Sequence, residues 1–240
     1  MNNIYVERTK KFNENAYKAH GIKAQRRYPN EEFCRFMGRN FLDKDIDFES
    51  RRKIKILETG CGSGANLWMV AKEGFDAYGI DLSEEGLILA QQSLKKHGVQ
   101  ANLSAQNMCS LNFANDYFDA VVDVFSSCCL NKEQGNHYLK CVQRVLKPGR
   151  FFFSYFPAKR SDAYQFPKGS RFIDSDTLEA LTREDAPFYT EHPFRFMHPR
   201  EYEQMLIDYG FEIQYLEIIE KTYRDQKEKF SLIVIEAKKK

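Results

Sequence analysis

The stretch Ile54-Lys55-Ile56-Leu57-Glu58-Thr59-Gly60-Cys61-Gly62-Ser63-Gly64-Ala65-Asn66 decides how this chain is read. A short apolar run meets glycines at alternate positions, and a helix-compatible segment follows, so the pattern predicts strand, tight turn and helix. In a parallel α/β sheet the first strand's carboxyl end stands against a helix N-terminus, whose free N–H groups and positive dipole end face a ligand where no side chain intervenes. Glycine removes that obstruction. Gly60, Gly62 and Ala65 also satisfy the pattern G-x-G-x-x-G/A, so this stretch alone leaves open a nicotinamide or flavin site as well as another adenosine-bearing cofactor.

The downstream spacing narrows the choice. Asp76-Ala77-Tyr78-Gly79-Ile80-Asp81 predicts a second strand ending in a carboxylate, about 20 residues past the glycines, where a ribose hydroxyl pair is gripped. Further on come Leu111-Asn112-Phe113, then Phe118-Asp119-Ala120-Val121-Val122-Asp123, then Arg144-Val145-Leu146-Lys147-Pro148-Gly149. With Glu58 to Gly64 and Gly79-Ile80-Asp81-Leu82-Ser83, these motifs resemble, in order, those of class I S-adenosylmethionine-dependent methyltransferases. The resemblance covers residues 54 to 156 and extends to the C-terminal quarter by pattern.

What the resemblance implies is a doubly wound α/β fold, with a mostly parallel seven-stranded sheet carrying one antiparallel C-terminal strand and an N-terminal helical extension. It implies S-adenosyl-L-methionine as cofactor and S-adenosyl-L-homocysteine as product. Glu58, Gly60, Cys61, Gly62 and Gly64 fall at the methionine end. Asp81 and Leu82 fall at the ribose and adenine edge, Asn107 and Met108 at adenine, and Asp123 at the methionine amino group. Asn107 stands where many members of the family have an acid; its side-chain oxygen can accept the adenine amino group in the same way.

The remaining elements follow from local pattern. Leu67, Val70 and Ala71 give an inward helix face stopped at Gly74; Ser83 caps a helix that buries Leu87, Ala90 and Leu94 until Gly98. Residues 101–106 predict strand three, Asp119 to Val124 strand four, and Arg150 to Phe156 strand five, with a helix opened by Asn131 between the last two. Phe33, Phe36, Met37, Asn40 and Phe41 recur at helical spacing behind Asn30 as cap. Helices are predicted near 11–20 and 30–42, and the first, with Tyr5, Phe12 and Tyr17 nearby, is a candidate lid. Residues 157–197 are too long for a simple connection and carry turn formers, with a short helix expected near 176–184. His198 caps a helix with Pro199 at its first position, and strands near 211–219 and 229–237 form a closing hairpin.

Over 240 residues, 42% are hydrophobic and 29% charged, enough for one substantial core, and a single domain over 1–240 is expected, with 1–50 as helical cap and 157–197 as insertion or lid. The N-terminus lacks the apolar segment of a signal peptide, and six cysteines without C-x-x-C pairing fit reduced thiols, so a soluble cytoplasmic protein with no metal site and no membrane partner is expected. Net charge is +2, which gives no global electrostatic case for nucleic acid; residues 1–55 hold 14 Lys/Arg against 8 Asp/Glu, a solvated helical face or a surface for an anionic acceptor.

The acceptor is not written in any motif. The amino-methylating signature [N/D]-P-P-[Y/F] is absent, and so is a Pro-Cys nucleophile pair, because Cys128 follows Ser127. The leading expectation is methyl transfer to an O or N atom of a small molecule. An RNA-modifying enzyme, a non-catalytic donor-binding subunit and a nicotinamide oxidoreductase are the alternatives. No catalytic residue is assigned; His137, His192 and Arg195 are candidates. The acceptor pocket is expected at the end of strand four with the insertion, using Phe125, Tyr155, Tyr164, Phe166 and Phe194 as walls and Arg195, His192 or His198 as polar contacts.

Overall fold

The computed structural model describes residues 3–42 and 46–240; residues 1–2 and 43–45 of the expected N-terminal cap lie outside the described residues. The strands are β1 (Lys55–Thr59), β2 (Asp76–Asp81), β3 (Asn102–Ala105), β4 (Phe118–Val124), β5 (Leu146–Pro157), β6 (Thr177–Leu178), β7 (Phe194–Arg195), β8 (Phe211–Tyr223) and β9 (Glu228–Lys239). The helices are α1 (Asn3–His20), α2 (Glu31–Met37), α3 (Phe48–Arg51), α4 (Leu67–Lys72), α5 (Glu84–Lys96), α6 (Lys132–Val145), α7 (Asp162–Gln165) and α8 (Pro199–Asp208).

Seven strands form one sheet in the order β3-β2-β1-β4-β5-β9-β8. Pairs among β1 to β5 are parallel, and β9 runs antiparallel to both β5 and β8, which is the reversed strand the sequence leads one to expect. The chain order reverses between β1 and β4, so the crevice at their carboxyl ends is the place for a ligand. β4 is buried along its whole length because helices cover both faces, and its apolar run reflects that.

Local signals set the element ends. Asn30 accepts the Phe33 N–H at 3.1 Å and Ser83 the Gly86 N–H at 3.0 Å, while Asn131 and Gln134 form a reciprocal capping box. His198 accepts the Arg200 N–H at 3.3 Å, so its role in the described fold is a helix cap. α2 packs on the sheet through Phe36, whose ring lies 4.8 Å from that of Phe153.

Two expectations need correction. The first helix begins at Asn3 rather than near residue 11, and its early turns reach the ligand crevice. The helix expected near 176–184 is absent. Leu178 and Leu181 carry helical spacing and are both fully buried, but Thr177–Leu178 pairs with β7 and Leu181 with Thr190, so a ribbon buries them instead. Asp176 at the ribbon's start is tied to Lys159 and Arg195, contacts that override local propensity.

Candidate active site

Three glycines, three different neighbours, define the turn after β1. Gly60 has φ +68, and a Cβ there would run into the Ser126 side chain, so β1 and the end of β4 approach each other only because this residue is bare. The space beside Gly62 is taken by Gln25 and Tyr17, and that beside Gly64 by Ala90 of α5. Cys61 is buried, its N–H bonded to the Ile80 carbonyl.

Asp81 ties the turn to the next strand. Its Oδ2 accepts the Gly62 N–H and its Oδ1 the Ser83 N–H, each at 2.8 Å. Burial pushes its carboxyl up to about 6, against these hydrogen bonds, which favour the ionised form. Each oxygen keeps a lone pair for a further donor, as a ribose hydroxyl pair requires. Glu58 is more deeply placed: Oε1 accepts Asn66 Nδ2 at 2.6 Å, Oε2 has no partner, and burial pushes the carboxyl up to about 8. An orphaned buried acceptor beside a glycine turn suits a ligand that brings a positive charge or a hydrogen-bond donor.

A cavity of about 120 Å³ opens at the crevice, lined in part by Gly60, Asp81, Leu82, Asn107 and Met108. Its other walls are Tyr5, Val6, Thr9, Asn13 and Tyr17 of α1, Gln25, and the β4 end with Phe125, Ser126, Cys129 and Leu130, together with Gln134. α1 therefore forms a cap over the crevice. It is moored at one end by Glu14, which accepts the Glu84 N–H at 2.7 Å, and on the insertion by Arg8, which pairs with Glu179 at 3.1 Å. Gln25 fastens the segment after α1, its Oε1 accepting both the Ser63 N–H and the Ser63 hydroxyl at 2.9 Å. Phe125 has φ +62, a strained backbone for an aromatic, and is wedged against Phe188 and Phe194.

The other expected residues lie apart from the cavity wall. Asp123 is fully buried and receives Ser126 N–H and Oγ, Ser127 N–H and Oγ, and Ser154 Oγ; it holds the turn after β4 together, and both its oxygens are used. Cys61, Gly62, Gly64 and Glu58 form the layer behind the wall. Arg195 is 3% exposed, paired with Asp176 at 3.5 Å against α6, and does not line this cavity. His137 is half-buried on α6 away from the cavity lining. His192 is buried and does not line the cavity. Of the aromatic walls expected for an acceptor, Phe125 lines this cavity; Tyr155 and Phe194 are core residues, and Phe166 is 61% exposed. Gln25 and Asn13 had no motif to announce them. Their signal is three-dimensional: each comes from a segment distant in sequence from the glycine turn.

A family described as a methyltransferase domain matches residues 56–149. The putative methyltransferase YqeM of Bacillus subtilis is 29% identical over 196 residues, covering 71% of this chain and 78% of that protein. The demethylmenaquinone methyltransferase of Tropheryma whipplei is 30% identical over 156 residues, 60% of this chain and 63% of that protein. Among solved structures, a SAM-dependent methyltransferase from Methanosarcina mazei superposes with a TM-score of 0.64 at 27% identity, covering 77% of this chain and 92% of that one. The sheet order, the glycine turn and these likenesses together define a methyl-transferring enzyme. The chain belongs to the class I S-adenosylmethionine-dependent methyltransferases.

Proposed function

We propose that this enzyme transfers the methyl group of S-adenosyl-L-methionine to an O or N atom of a small-molecule acceptor admitted under the α1 cap. The observation that carries the reading is the cavity in which the glycine turn, Asp81 and Met108 share one space with the β4 end. Asp81 and Leu82 hold the ribose and adenine edge, Asn107 and Met108 the adenine, and Gly60 with the orphaned Glu58 Oε2 behind it the methionine end. When bound, the donor supplies a methyl group already activated by a sulfonium charge. The protein's share is then mostly orientation and exclusion of water, a contribution of about 7–11 kcal/mol in favourable cases.

The cap fits a small acceptor better than a polymer. Residues 157–200 carry seven basic and seven acidic side chains, which offers no track for a polyanion. About 120 Å³ is below the ~300–1,000 Å³ of ordinary ligand clefts, so α1 opens to admit ligands and closes over them. The likeness to a relative named a demethylmenaquinone methyltransferase supports a small-molecule acceptor. A single domain over residues 1–240 and a cytoplasmic location belong to the same proposal; among the described residues no helix is long and apolar enough to cross a membrane.

Incubation with methyl-labelled donor and fractionated cell extract tests the reading. Label in a low-molecular-weight metabolite is expected. Label in RNA instead would replace the small-molecule acceptor by the RNA-modifying alternative, and donor binding without label in any fraction would favour a non-catalytic subunit.

A further inference from the structure

Among the described residues several buried side-chain atoms have no hydrogen-bond partner, and one of them, Gln134 Nε2, belongs to a residue that lines the cavity. Gln134 is 2% exposed and stands in the first turn of α6. Its amide cannot be turned the other way. Oε1 accepts the Asn131 N–H at 3.1 Å, and an NH2 group in that place would set donor against donor. Asn131 Oδ1 in turn accepts the Gln134 N–H at 2.9 Å, so the side chain is held by the capping box it completes. What it has left is an N–H donor without an acceptor. Leaving such a group buried and unpaired is unfavourable, and a ligand that brings an acceptor relieves it.

The place where α6 is docked decides which ligand atom that is. Cys109 ties the helix to the segment after β3 twice: its thiol donates to the Gln134 carbonyl at 3.4 Å, and its carbonyl accepts the Cys141 thiol at 3.2 Å. Cys109 directly follows Asn107 and Met108, the residues given to adenine above, and its N–H reaches back to Asn107 Oδ1 at 2.9 Å. Gln134 therefore borders the adenine end of the cavity. Adenine carries an amino group that donates and ring nitrogens that accept. The lone pair remaining on Asn107 Oδ1 suits the amino group, whereas Gln134 Nε2, a donor, suits a ring nitrogen. The two orphans at the site are opposite in kind, and so are the ends of the ligand. Glu58 Oε2, an acceptor, lies at the methionine end, whose ammonium group donates; Gln134 Nε2, a donor, lies at the base.

We propose that Gln134 reads the base of the methyl donor, its Nε2–H donating to an adenine ring nitrogen, so that the first turn of α6 joins the segment after β3 in selecting adenine. The inference rests on the donor site assigned above. It gives one side chain two tasks: Oε1 caps the helix, and Nε2 binds the cofactor.

Calorimetry with S-adenosyl-L-homocysteine and its 1-deaza, 3-deaza and 7-deaza analogues tests this on the intact protein. Each analogue replaces one ring nitrogen by a C–H group, which cannot accept. Wild type is expected to bind one of the three at least about tenfold more weakly than the parent ligand. Gln134→Glu keeps an oxygen for the Asn131 N–H, so its melting temperature is expected to stay near that of wild type. It lacks the donor, so the parent ligand is expected to bind at least about tenfold more weakly and the penalty for that one analogue to vanish. Gln134→Met, with neither group, is expected to melt lower and to lose the same discrimination. Wild type binding all four ligands alike, wild-type affinity for the parent in both variants, or the wild-type discrimination persisting in them overturns the inference. A wild-type protein that binds none of the four fails the donor site itself, and the inference with it.

Discussion

The half of the molecule around β1, β2 and β4 and the cap formed by α1 and Gln25 meet at one cavity but are built by different means. In the first, the ligand-facing surface is set by backbone geometry: a bare Gly60, a glycine turn tied to Asp81 behind it, and strand ends fixed by a parallel register. In the second, it is side chains alone, brought in by long-range contacts such as Gln25 to Ser63 and Arg8 to Glu179. A backbone site tolerates few residue types, so it leaves a sequence motif. A site of side chains on a cap can be made in many ways, and this is where specificity for the acceptor is free to vary.

The comparison breaks most readily at Gly60. An alanine there adds strain of about 1–2 kcal/mol at a positive φ and about 1–3 kcal/mol for displacing Ser126. Gly60→Ala is therefore expected to weaken S-adenosyl-L-homocysteine binding by about a hundredfold or more, read by calorimetry on folded protein. Wild-type affinity would mean that the close approach of β1 and β4 does not shape the ligand site.

Asp81→Ala is expected to come next. Charged hydrogen bonds from a ribose hydroxyl pair contribute about 1.5–3 kcal/mol each, so affinity falls roughly ten- to several-hundred-fold. Because burial pushes this carboxyl up to about 6, wild-type affinity is also expected to rise between pH 5 and pH 7 as the acceptor form fills. A variant that melts lower but binds normally would reduce Asp81 to its two backbone contacts.

On the cap side the effect is smaller. Gln25→Ala removes the bond that fastens the cap to Ser63, and hydrogen exchange in α1 is expected to accelerate, with product dissociation about tenfold faster. Unchanged exchange would show that Glu14 and Arg8 alone moor the helix.

The last effect concerns stability rather than binding. Glu58 is pushed up to about 8 by burial, so between its ordinary value and 8 the unfolded chain is ionised there while the folded chain holds a proton. Folding stability is thus expected to fall as pH rises through that window, by an amount on the order of a few kcal/mol at its upper end. Glu58→Gln should flatten the decline in denaturant titrations at pH 5 and pH 8; an equal slope in both proteins contradicts the burial account.

The sheet was legible from periodicity because strands buried on both faces have little freedom: the run from Phe118 to Val124 could hardly be anything else. Asp81 was legible because it stands at a set distance past the glycine turn, and Met108 through the family resemblance at the end of β3. Asp123 looked similar, yet three serines claim both its oxygens, a contact no spacing rule reports. The ribbon at Thr177–Leu178 was missed because i, i+3 leucines fit a helix as well as a buried strand pair. Gln25 was invisible for a deeper reason, since its place depends on where a distant segment lands.

Calorimetric titration of the wild-type protein with S-adenosyl-L-homocysteine and, separately, with NAD tests the central claim most directly. The account predicts saturable one-to-one binding of the adenosyl ligand, on the order of micromolar, and no binding of NAD. Tight NAD binding with no response to the adenosyl ligand would contradict it.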